Sequence, residues 1–238
     1  MQEDATRKYY DEFSGWYERE RGRGYHALID DLEVRVATEF ARNGTALEVG
    51  CGTGLILERI ARVAERAVGL DLSPGMLQQA RARGLDVVQG VATALPFADE
   101  SFDVTYSYKV LAHVPEIELA LSEMARVTRR GGTVLAEFYN PWSLRYLAKK
   151  LTRPGRISEN TTEAAVYTRF DSPERIRAII PPTVELVGFR GVRVVTPAAK
   201  AISLPFIGQG LTALEHALLD SPAARFGGFL IAVLRRTR

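Results

Sequence analysis

A glycine-rich turn between two apolar segments is the part of this sequence best suited to bind a ligand. It reads Glu48-Val49-Gly50-Cys51-Gly52-Thr53-Gly54, and Asp71 ends the next apolar run. Repeated glycines let main-chain N–H groups and the start of a helix approach a ligand closely. An acidic residue about 20 residues after such a turn meets the ribose hydroxyls of a nucleotide lying over a doubly wound sheet. The two features predict a site for a nucleotide-like cofactor.

The turn differs from the fingerprint that binds dinucleotides. That fingerprint, Gly-x-Gly-x-x-Gly, requires glycine where this chain has Leu55. Glu48 would also repel a pyrophosphate, because both are negatively charged. An acid at this place favours a ligand with a cationic end. S-adenosyl-L-methionine (SAM) fits, because it joins adenosine to a sulfonium and an α-ammonium without any phosphate. A nicotinamide-dependent oxidoreductase is the alternative.

These residues resemble the class I SAM-dependent methyltransferases, above all the group that includes the ubiquinone/menaquinone C-methyltransferases and many small-molecule methyltransferases. The resemblance covers roughly residues 45–140 and continues through four further motifs, Gly69-Leu70-Asp71-Leu72-Ser73-Pro74-Gly75-Met76, Leu95-Pro96-Phe97, Ser101-Phe102-Asp103-Val104 and Gly131-Gly132-Thr133. It implies SAM as cofactor and S-adenosyl-L-homocysteine (SAH) as product. It also implies an α/β fold of the Rossmann-like, doubly wound kind, with a seven-stranded, mostly parallel sheet, an antiparallel last strand and helical cap insertions.

The resemblance carries the family's cofactor contacts onto particular positions of the core, which are Glu48, Gly50, Cys51, Gly52, Thr53, Gly54, Asp71, Leu72, Met76, Val91, Ala92 and Tyr108. Similar proteins usually have Gly-Asp-Ala where this chain has Gly90-Val91-Ala92, and that aspartate meets the adenine amino group. Its absence leaves the adenine to apolar contacts with Leu72, Met76 and Val91. The loss also favours a second alternative, a non-catalytic SAM-binding protein.

An aromatic segment precedes the core. Tyr9, Tyr10, Phe13, Trp16 and Tyr17 fall at helical spacing. As in similar proteins, we expect this arm to close over SAM as a lid, with Tyr10 and Tyr17 in contact with the cofactor. The competing interpretation is a helix that only packs this stripe on the core.

The candidates for catalysis are Tyr108 and His113, which follow the fourth predicted strand. Ligands of a doubly wound sheet lie beyond the carboxyl ends of its strands, which places Tyr108 and His113 beside the acceptor. Methyl transfer is an in-line displacement that needs no metal, but an oxygen or carbon acceptor must lose a proton. Histidine titrates near neutral pH, so His113 is a candidate base, as is a tyrosine. His113 is also suited simply to hydrogen-bond the backbone at the start of a helix.

Strands and helices alternate through the chain, as in a parallel sheet covered on both faces. The predicted strands are Ala46–Val49, Ala67–Leu70, Asp86–Gln89, Val104–Ser107, Thr133–Phe138, Val184–Val187 with Val192–Val195, and Phe229–Leu234. The predicted helices are Tyr25–Ala41, Leu55–Glu65, Pro74–Arg83, Glu116–Thr128 and one from Pro173 to Ile180, with Asn140 capping another. We expect one domain, made of a lid (1–42), a SAM-binding core (43–140), a cap (141–172) and a sheet completion (173–238) with an apolar insert (198–219).

Composition limits the partners. The net charge of the 238 residues is only +2, which does not indicate nucleic acid as partner. The polar start and the single cysteine, Cys51, predict a cytoplasmic protein without signal peptide, membrane span or intrachain disulfide. The cap has five basic residues from Arg145 to Arg156 and no acid, so peripheral membrane contact stays open beside a merely solvated face. The acceptor is expected to be a small apolar, lipid-, quinone- or natural-product-like molecule methylated at O, N or C, and an oligomer stays open.

Overall fold

A computed structural model describes residues 24–151 and 167–238. Its strands form one seven-stranded sheet in the order β3-β2-β1-β4-β5-β7-β6. The strands are β1 (Thr45–Val49), β2 (Arg66–Asp71), β3 (Asp86–Gln89), β4 (Phe102–Ser107), β5 (Thr128–Tyr139), β6 (Val184–Val192) and β7 (Phe229–Arg236). The first five are parallel, and β7 is antiparallel to both β5 and β6. The predicted fold class is confirmed.

Helices cover both faces of the sheet. They are α1 (Gly24–Ala41), α2 (Leu55–Ala61), α3 (Pro74–Ala82), α4 (Ile117–Val127), α5 (Leu144–Leu151), α6 (Pro173–Ile179), α7 (Ala199–Ile202) and α8 (Ile207–Leu218). One apolar core joins α4 and α6 to the sheet, and a second joins α1 and α2 to the other face. Because both faces are covered, the central strands are buried almost throughout, as β1 and β4 show.

Helix starts follow local capping rules. Ser73 precedes Pro74, and its hydroxyl accepts a hydrogen bond from the Met76 amide at 3.1 Å. Ser172 caps α6 in the same way before Pro173. Serine satisfies an amide that would otherwise lack a partner, and proline at the first helical position loses no hydrogen bond. The sequence alone predicts both helix starts for this reason.

The predicted strand Val192–Val195 is wrong. Strand β6 ends at Val192, and Arg193 has φ +60°, which breaks the extended backbone. The amides of Val194, Val195 and Thr196 then donate to the carboxylate of Glu215 instead of to a neighbouring strand. A buried side chain on α8 thus supplies the hydrogen bonds that a strand would have made.

Helix α2 is also shorter than predicted, since it ends at Ala61. The predicted cap of α5, Asn140, has a different role. Asn140 donates its side-chain amide to the carbonyls of Arg225 and Gly227, which fastens the end of β5 to the segment before β7. The hydroxyl of Ser143 accepts from the Tyr146 amide and caps the helix.

Among the helices of the described ranges, none is long and apolar enough to cross a bilayer.

Candidate functional site

A cavity of about 410 Å³ opens at the carboxyl ends of β1, β2 and β4. Its walls come from the glycine turn, from the segments that follow β2 and β3, and from the loop that follows β4. The lining includes Glu48, Gly50, Cys51, Gly52, Thr53, Asp71, Leu72, Met76, Gly90, Val91, Ala92, Thr93, Tyr108, Lys109, Val110, His113 and Glu116. The cavity therefore brings together all the predicted cofactor residues that the structure describes except Gly54, the last glycine of the turn, which is not part of the lining.

The three glycines of the turn have positive φ values, but they serve different purposes. A Cβ on Gly50 would stand 2.3 Å from Val110, and one on Gly54 would stand 2.3 Å from Leu85. These two are glycine because a neighbouring side chain packs against the backbone. Of the three, Gly52 alone has no atom of the described residues within 4 Å of the place where a Cβ would stand. Gly52 is thus the glycine whose missing side chain leaves room for a ligand.

Most of the amides in this turn already donate within the protein. Those of Gly50 and Cys51 donate to the carbonyl of Leu70, that of Gly54 donates to the carbonyl of Cys51, and that of Gly52 donates to Asp71. Our expectation that several amides face the ligand is therefore wrong for these four. A pyrophosphate needs such donors, so the geometry disfavours the nicotinamide alternative.

Asp71 organises the cavity wall as well as facing it. One carboxylate oxygen accepts from the Gly52 amide at 2.8 Å and the other from the Ser73 amide at 2.9 Å. A carboxylate oxygen accepts from hydroxyl groups as readily as from amides. A vicinal diol, such as that of a ribose, matches this arrangement.

A buried carboxyl and a buried hydroxyl mark the floor of the cavity. Thr53 is 1% exposed, and its hydroxyl has no hydrogen-bond partner in the part of the chain that the structure describes. Glu48 is 3% exposed and accepts from the Tyr106 hydroxyl at 3.2 Å. Burial raises the pKa of the Glu48 carboxyl well above its usual range, against the lowering effect of the Tyr106 hydrogen bond. A cationic ligand would relieve this penalty, because it stabilises the ionised carboxylate.

The wall predicted to hold an adenine is largely apolar. Leu72, Met76, Val91 and Ala92 all line the cavity, and Met76 is buried. The Gly90 amide donates to the carbonyl of Asp71, which keeps this segment next to β2. Apolar packing from both sides is therefore available to a flat ring even though the usual aspartate is absent.

Tyr108 contributes a buried hydroxyl to the opposite wall. The side chain is 4% exposed, and its hydroxyl has no hydrogen-bond partner among residues 24–151 and 167–238. Burial, and then the nearby carboxyls of Glu33, Glu137 and Glu48, raise the pKa of Tyr108 well above its usual range. Tyr108 therefore stays protonated and is suited to donate a hydrogen bond, not to act as the base that we considered.

A cluster of charges behind Tyr108 was not predicted from the sequence. The Lys109 ammonium donates to Asp30 at 2.9 Å and to Glu33 at 2.7 Å, and its amide donates to Glu137 at 2.9 Å. Burial and then the charge of Glu33 raise the pKa of Glu137 well above its usual range. We call these four residues the Lys109 cluster. The available signal was the charge of Glu137 inside the otherwise apolar run at the end of β5, whereas Glu33 lies among other charged residues of α1.

His113 is positioned by the backbone on one side and by an aromatic ring on the other. Its Nδ1 lies 2.8 Å from the carbonyl oxygen of Tyr167, and its ring packs edge-on against Tyr139 with centroids 5.7 Å apart. A carbonyl only accepts, so Nδ1 carries the proton in this contact. The other ring nitrogen, Nε2, is then the atom that can take up a proton.

Three predicted cofactor residues remain, namely Cys51, Tyr10 and Tyr17. Burial raises the pKa of the Cys51 thiol, and its sulfur packs against Gly69, so it behaves as a small apolar residue and not as a nucleophile. Tyr10 and Tyr17 lie outside the described residues.

Comparison with known proteins gives the same assignment for the core. A family model described as a methyltransferase domain matches residues 47–136. A demethylmenaquinone methyltransferase from Mycobacterium sp. strain KMS is 41% identical over 130 residues. That match covers 51% of this chain and spans only 56% of the relative.

A longer match is found with the demethylmenaquinone methyltransferase of Mycobacterium bovis strain BCG. It is 34% identical over 174 residues and covers 67% of this chain and 72% of the relative. Among solved structures, a Thermotoga maritima protein described as a SAM-dependent methyltransferase, possible histamine N-methyltransferase, has a TM-score of 0.67. It is 22% identical and covers 96% of this chain and 98% of its own, which shows a shared fold.

Proposed function

The chain belongs to the class I SAM-dependent methyltransferases, in the group of the menaquinone methyltransferases, and from this premise we propose that it methylates a small, hydroxylated, quinone-like ring. Two of the relatives are named for a menaquinone precursor, which supports this acceptor class. The observation that carries the proposal is a single cavity that joins the glycine turn and Asp71 to Tyr108 and His113. We also propose a cytoplasmic location, on the ground that the only cysteine is structural.

The donor set of the cavity suits SAM. Asp71 has acceptor capacity for the ribose hydroxyls, and Leu72, Met76 and Val91 offer apolar contact to adenine. Glu48 suits the cationic end of the cofactor, and the Thr53 hydroxyl suits a polar group of its amino acid part. When bound, SAM supplies a methyl group on a sulfonium leaving group. The missing side chain of Gly52 would leave room for SAM next to the backbone of the turn.

The acceptor wall is suited to a ring that must lose a proton. In a hydroxylated ring, ionisation of a hydroxyl makes the hydroxyl oxygen and the neighbouring carbon nucleophilic. His113 Nε2 would take up that proton while the Tyr167 carbonyl holds Nδ1–H. The Tyr108 hydroxyl would donate to an oxygen of the ring, because it is protonated and otherwise lacks a partner. Enclosure by these walls orients the acceptor and excludes water.

Calorimetry with SAM and SAH tests the cofactor assignment. We expect both to bind, and Asp71→Asn to weaken both by about 2 kcal/mol, because it removes charge from the hydrogen bonds to the ribose. Glu116→Gln at the exposed rim of the cavity is the matched control, with affinity expected to stay within about twofold. Unchanged affinity in Asp71→Asn would remove the ribose assignment.

A labelled-methyl assay tests the acceptor. The substrate is a reduced naphthoquinone with a short prenyl tail and an unsubstituted ring position, and the control is its di-O-methyl ether, which has no ionisable hydroxyl. We expect label in the first only, and a loss of about 100-fold in kcat for His113→Gln with unchanged SAM affinity. Label in the ether, or full activity of His113→Gln, would contradict the proposed proton transfer.

A further inference from the structure

Helix α8 buries its carboxylate and exposes its apolar residues, the reverse of an ordinary surface helix. Glu215 is fully buried and accepts hydrogen bonds from three consecutive amides and from the Thr196 hydroxyl. On the outer face, Ile207 is 54% and Leu214 is 44% exposed. These two are seven residues apart, so they share one side of the helix. The outer side of α8 therefore presents apolar surface.

The turn before α8 extends this surface. Leu204 is 50% exposed, and Phe206 is 84% exposed. Phe206 also has φ +61°, a backbone conformation that is costly for a bulky residue and persists where its surroundings impose it. We call Leu204, Phe206, Ile207 and Leu214 the apolar ridge. Its most exposed member, Phe206, directly precedes the first residue of the helix.

The exposed charge in the ridge segment is cationic. Residues 197–214 contain a single charged side chain, Lys200, which is exposed. The next charged residue along the chain, Glu215, is fully buried. Just before the segment, the Arg193 guanidinium donates to the carbonyls of Thr196 and Pro197 and to the Tyr25 hydroxyl.

A second segment of the same character meets the first at Gly228. A Cβ at that glycine would stand 3.1 Å from Arg145 and 3.4 Å from Arg193, so α5 approaches the segment that leads to the ridge. Within α5 and the turn before it, Trp142, Leu144 and Leu147 are 47–58% exposed. Residues 140–151 contain three basic residues and no acid. The Arg145 guanidinium stacks on the rings of Tyr139 and Phe229, whereas Lys150 is exposed. Both segments therefore carry exposed apolar side chains and an exposed lysine.

We propose that the apolar ridge and the outer side of α5 dock this protein on a lipid bilayer that carries anionic headgroups. Apolar side chains that protrude among cations enter the boundary between headgroups and acyl chains, while the cations meet the lipid phosphates. A two-fold contact between copies of this chain is disfavoured, because the same face would meet itself and bring like charges together. The proposal goes beyond the methyl transfer and does not depend on it.

Vesicle co-sedimentation of the full chain tests this proposal without SAM or acceptor. The vesicles are phosphatidylcholine alone, and two parts phosphatidylcholine to one part phosphatidylglycerol. We expect saturable binding to the mixed vesicles and about tenfold weaker binding to the neutral ones, since each cation near an anionic surface contributes about 1 kcal/mol. No binding of the wild type to mixed vesicles would overturn the proposal.

Two variants and one matched control locate the contact. Phe206→Asn replaces the most exposed apolar side chain of the ridge by a polar one. We expect it to weaken binding to mixed vesicles about tenfold, and Lys200→Glu to weaken it several-fold with little change on neutral vesicles. Leu119 lies on α4, on the opposite face of the sheet, and its exposure (51%) is close to that of Leu204 in the ridge (50%). Leu119→Asn is expected to bind like the wild type.

Two outcomes would contradict the assignment even if the wild type bound vesicles. If Leu119→Asn were as weak as Phe206→Asn, the effect would not be specific to the ridge. If the protein formed a dimer in sedimentation equilibrium that Phe206→Asn alone abolished, the ridge would be an interface between copies of this chain. Calorimetric SAM binding by each variant shows that the variant is folded. If the proposed function is wrong, SAM does not bind, and the vesicle assay still tests the docking proposal.

Discussion

The two loops that flank the cavity hold unusual backbone conformations by different means. After β1, positive φ values occur at Gly50, Gly52 and Gly54, where no side chain opposes them. After β4, Lys109 has φ +62°, and its side chain and amide are held by Asp30, Glu33 and Glu137. The first loop is encoded by its own residues, whereas the second depends on partners from a distant helix and strand.

The comparison also separates two ways of using charge. At the glycine turn, Asp71 accepts from nearby amides and stays partly exposed. In the Lys109 cluster, Glu33 and Glu137 are almost completely buried. A partly exposed carboxylate keeps capacity for a ligand, whereas a buried cluster fixes an arrangement and makes it sensitive to the loss of any member.

The largest expected effect comes from removing the cation of the Lys109 cluster. Lys109→Met leaves carboxyls buried without their partner, so we expect a loss of about 3–5 kcal/mol in the free energy of unfolding near neutral pH. The raised pKa of Glu137 sets the sign of the pH dependence. A carboxyl with a raised folded-state pKa contributes its full stability below its unfolded pKa, and loses it as pH rises through the folded value.

Urea unfolding at about pH 5 and about pH 8 measures this effect. The deficit of Lys109→Met should be smaller at the lower pH, because protonation neutralises the remaining carboxyls. An equal deficit at both values would show that the lysine acts by packing and not by charge, and the contrast between the two loops would disappear.

The next effect separates the glycines of the first loop. Gly50→Ala places a methyl group 2.3 Å from Val110 at positive φ, so we expect a loss of about 3 kcal/mol in stability. Gly52→Ala meets no neighbour and should cost about 1 kcal/mol, from its backbone conformation alone. Thermal unfolding of the two variants should therefore rank them in that order. Equal losses would mean that packing against Val110 does not explain Gly50.

A smaller effect concerns Glu48, which is buried at the end of β1 but faces the cavity. Glu48→Gln removes the charge that a cationic ligand stabilises, so we expect SAM affinity to fall about tenfold, or about 1.4 kcal/mol. Because burial raises the pKa of Glu48, SAM affinity of the wild type should rise with pH until that carboxyl is ionised. Calorimetry across pH measures both, and a pH-independent Glu48→Gln confirms the assignment. A parallel loss for SAH would place Glu48 at the α-ammonium, and a loss confined to SAM would place it at the sulfonium.

The smallest effect is expected at an exposed ion pair. Arg62 pairs with Glu58 at 2.8 Å, but its side chain is 70% exposed. Arg62→Met should change stability by about 0.5 kcal/mol or less. A loss comparable to that of Lys109→Met would show that burial is not what distinguishes the Lys109 cluster.

Much of the cofactor side was predictable because its determinants are local. The glycine turn, Asp71 and the Ser73-Pro74 helix start lie within a short stretch, and the cavity contains them as expected. The sequence did not predict why each position is glycine, since Val110 and Leu85, which pack against Gly50 and Gly54, come from other parts of the chain. Direct contact of these residues with SAM stays a prediction.

The sequence by itself determined the alternation of strands and helices, because periodicity and capping act over a few residues. The resemblance of its motifs to the family implied the antiparallel last strand and supported the cofactor class. Only the tertiary structure decided where the buried charges lie. Lys109 with Asp30, and Glu215 with Thr196, join residues 79 and 19 positions apart. Such pairs are formed when burial removes water from both groups, and that depends on the packing of the whole sheet and its helices.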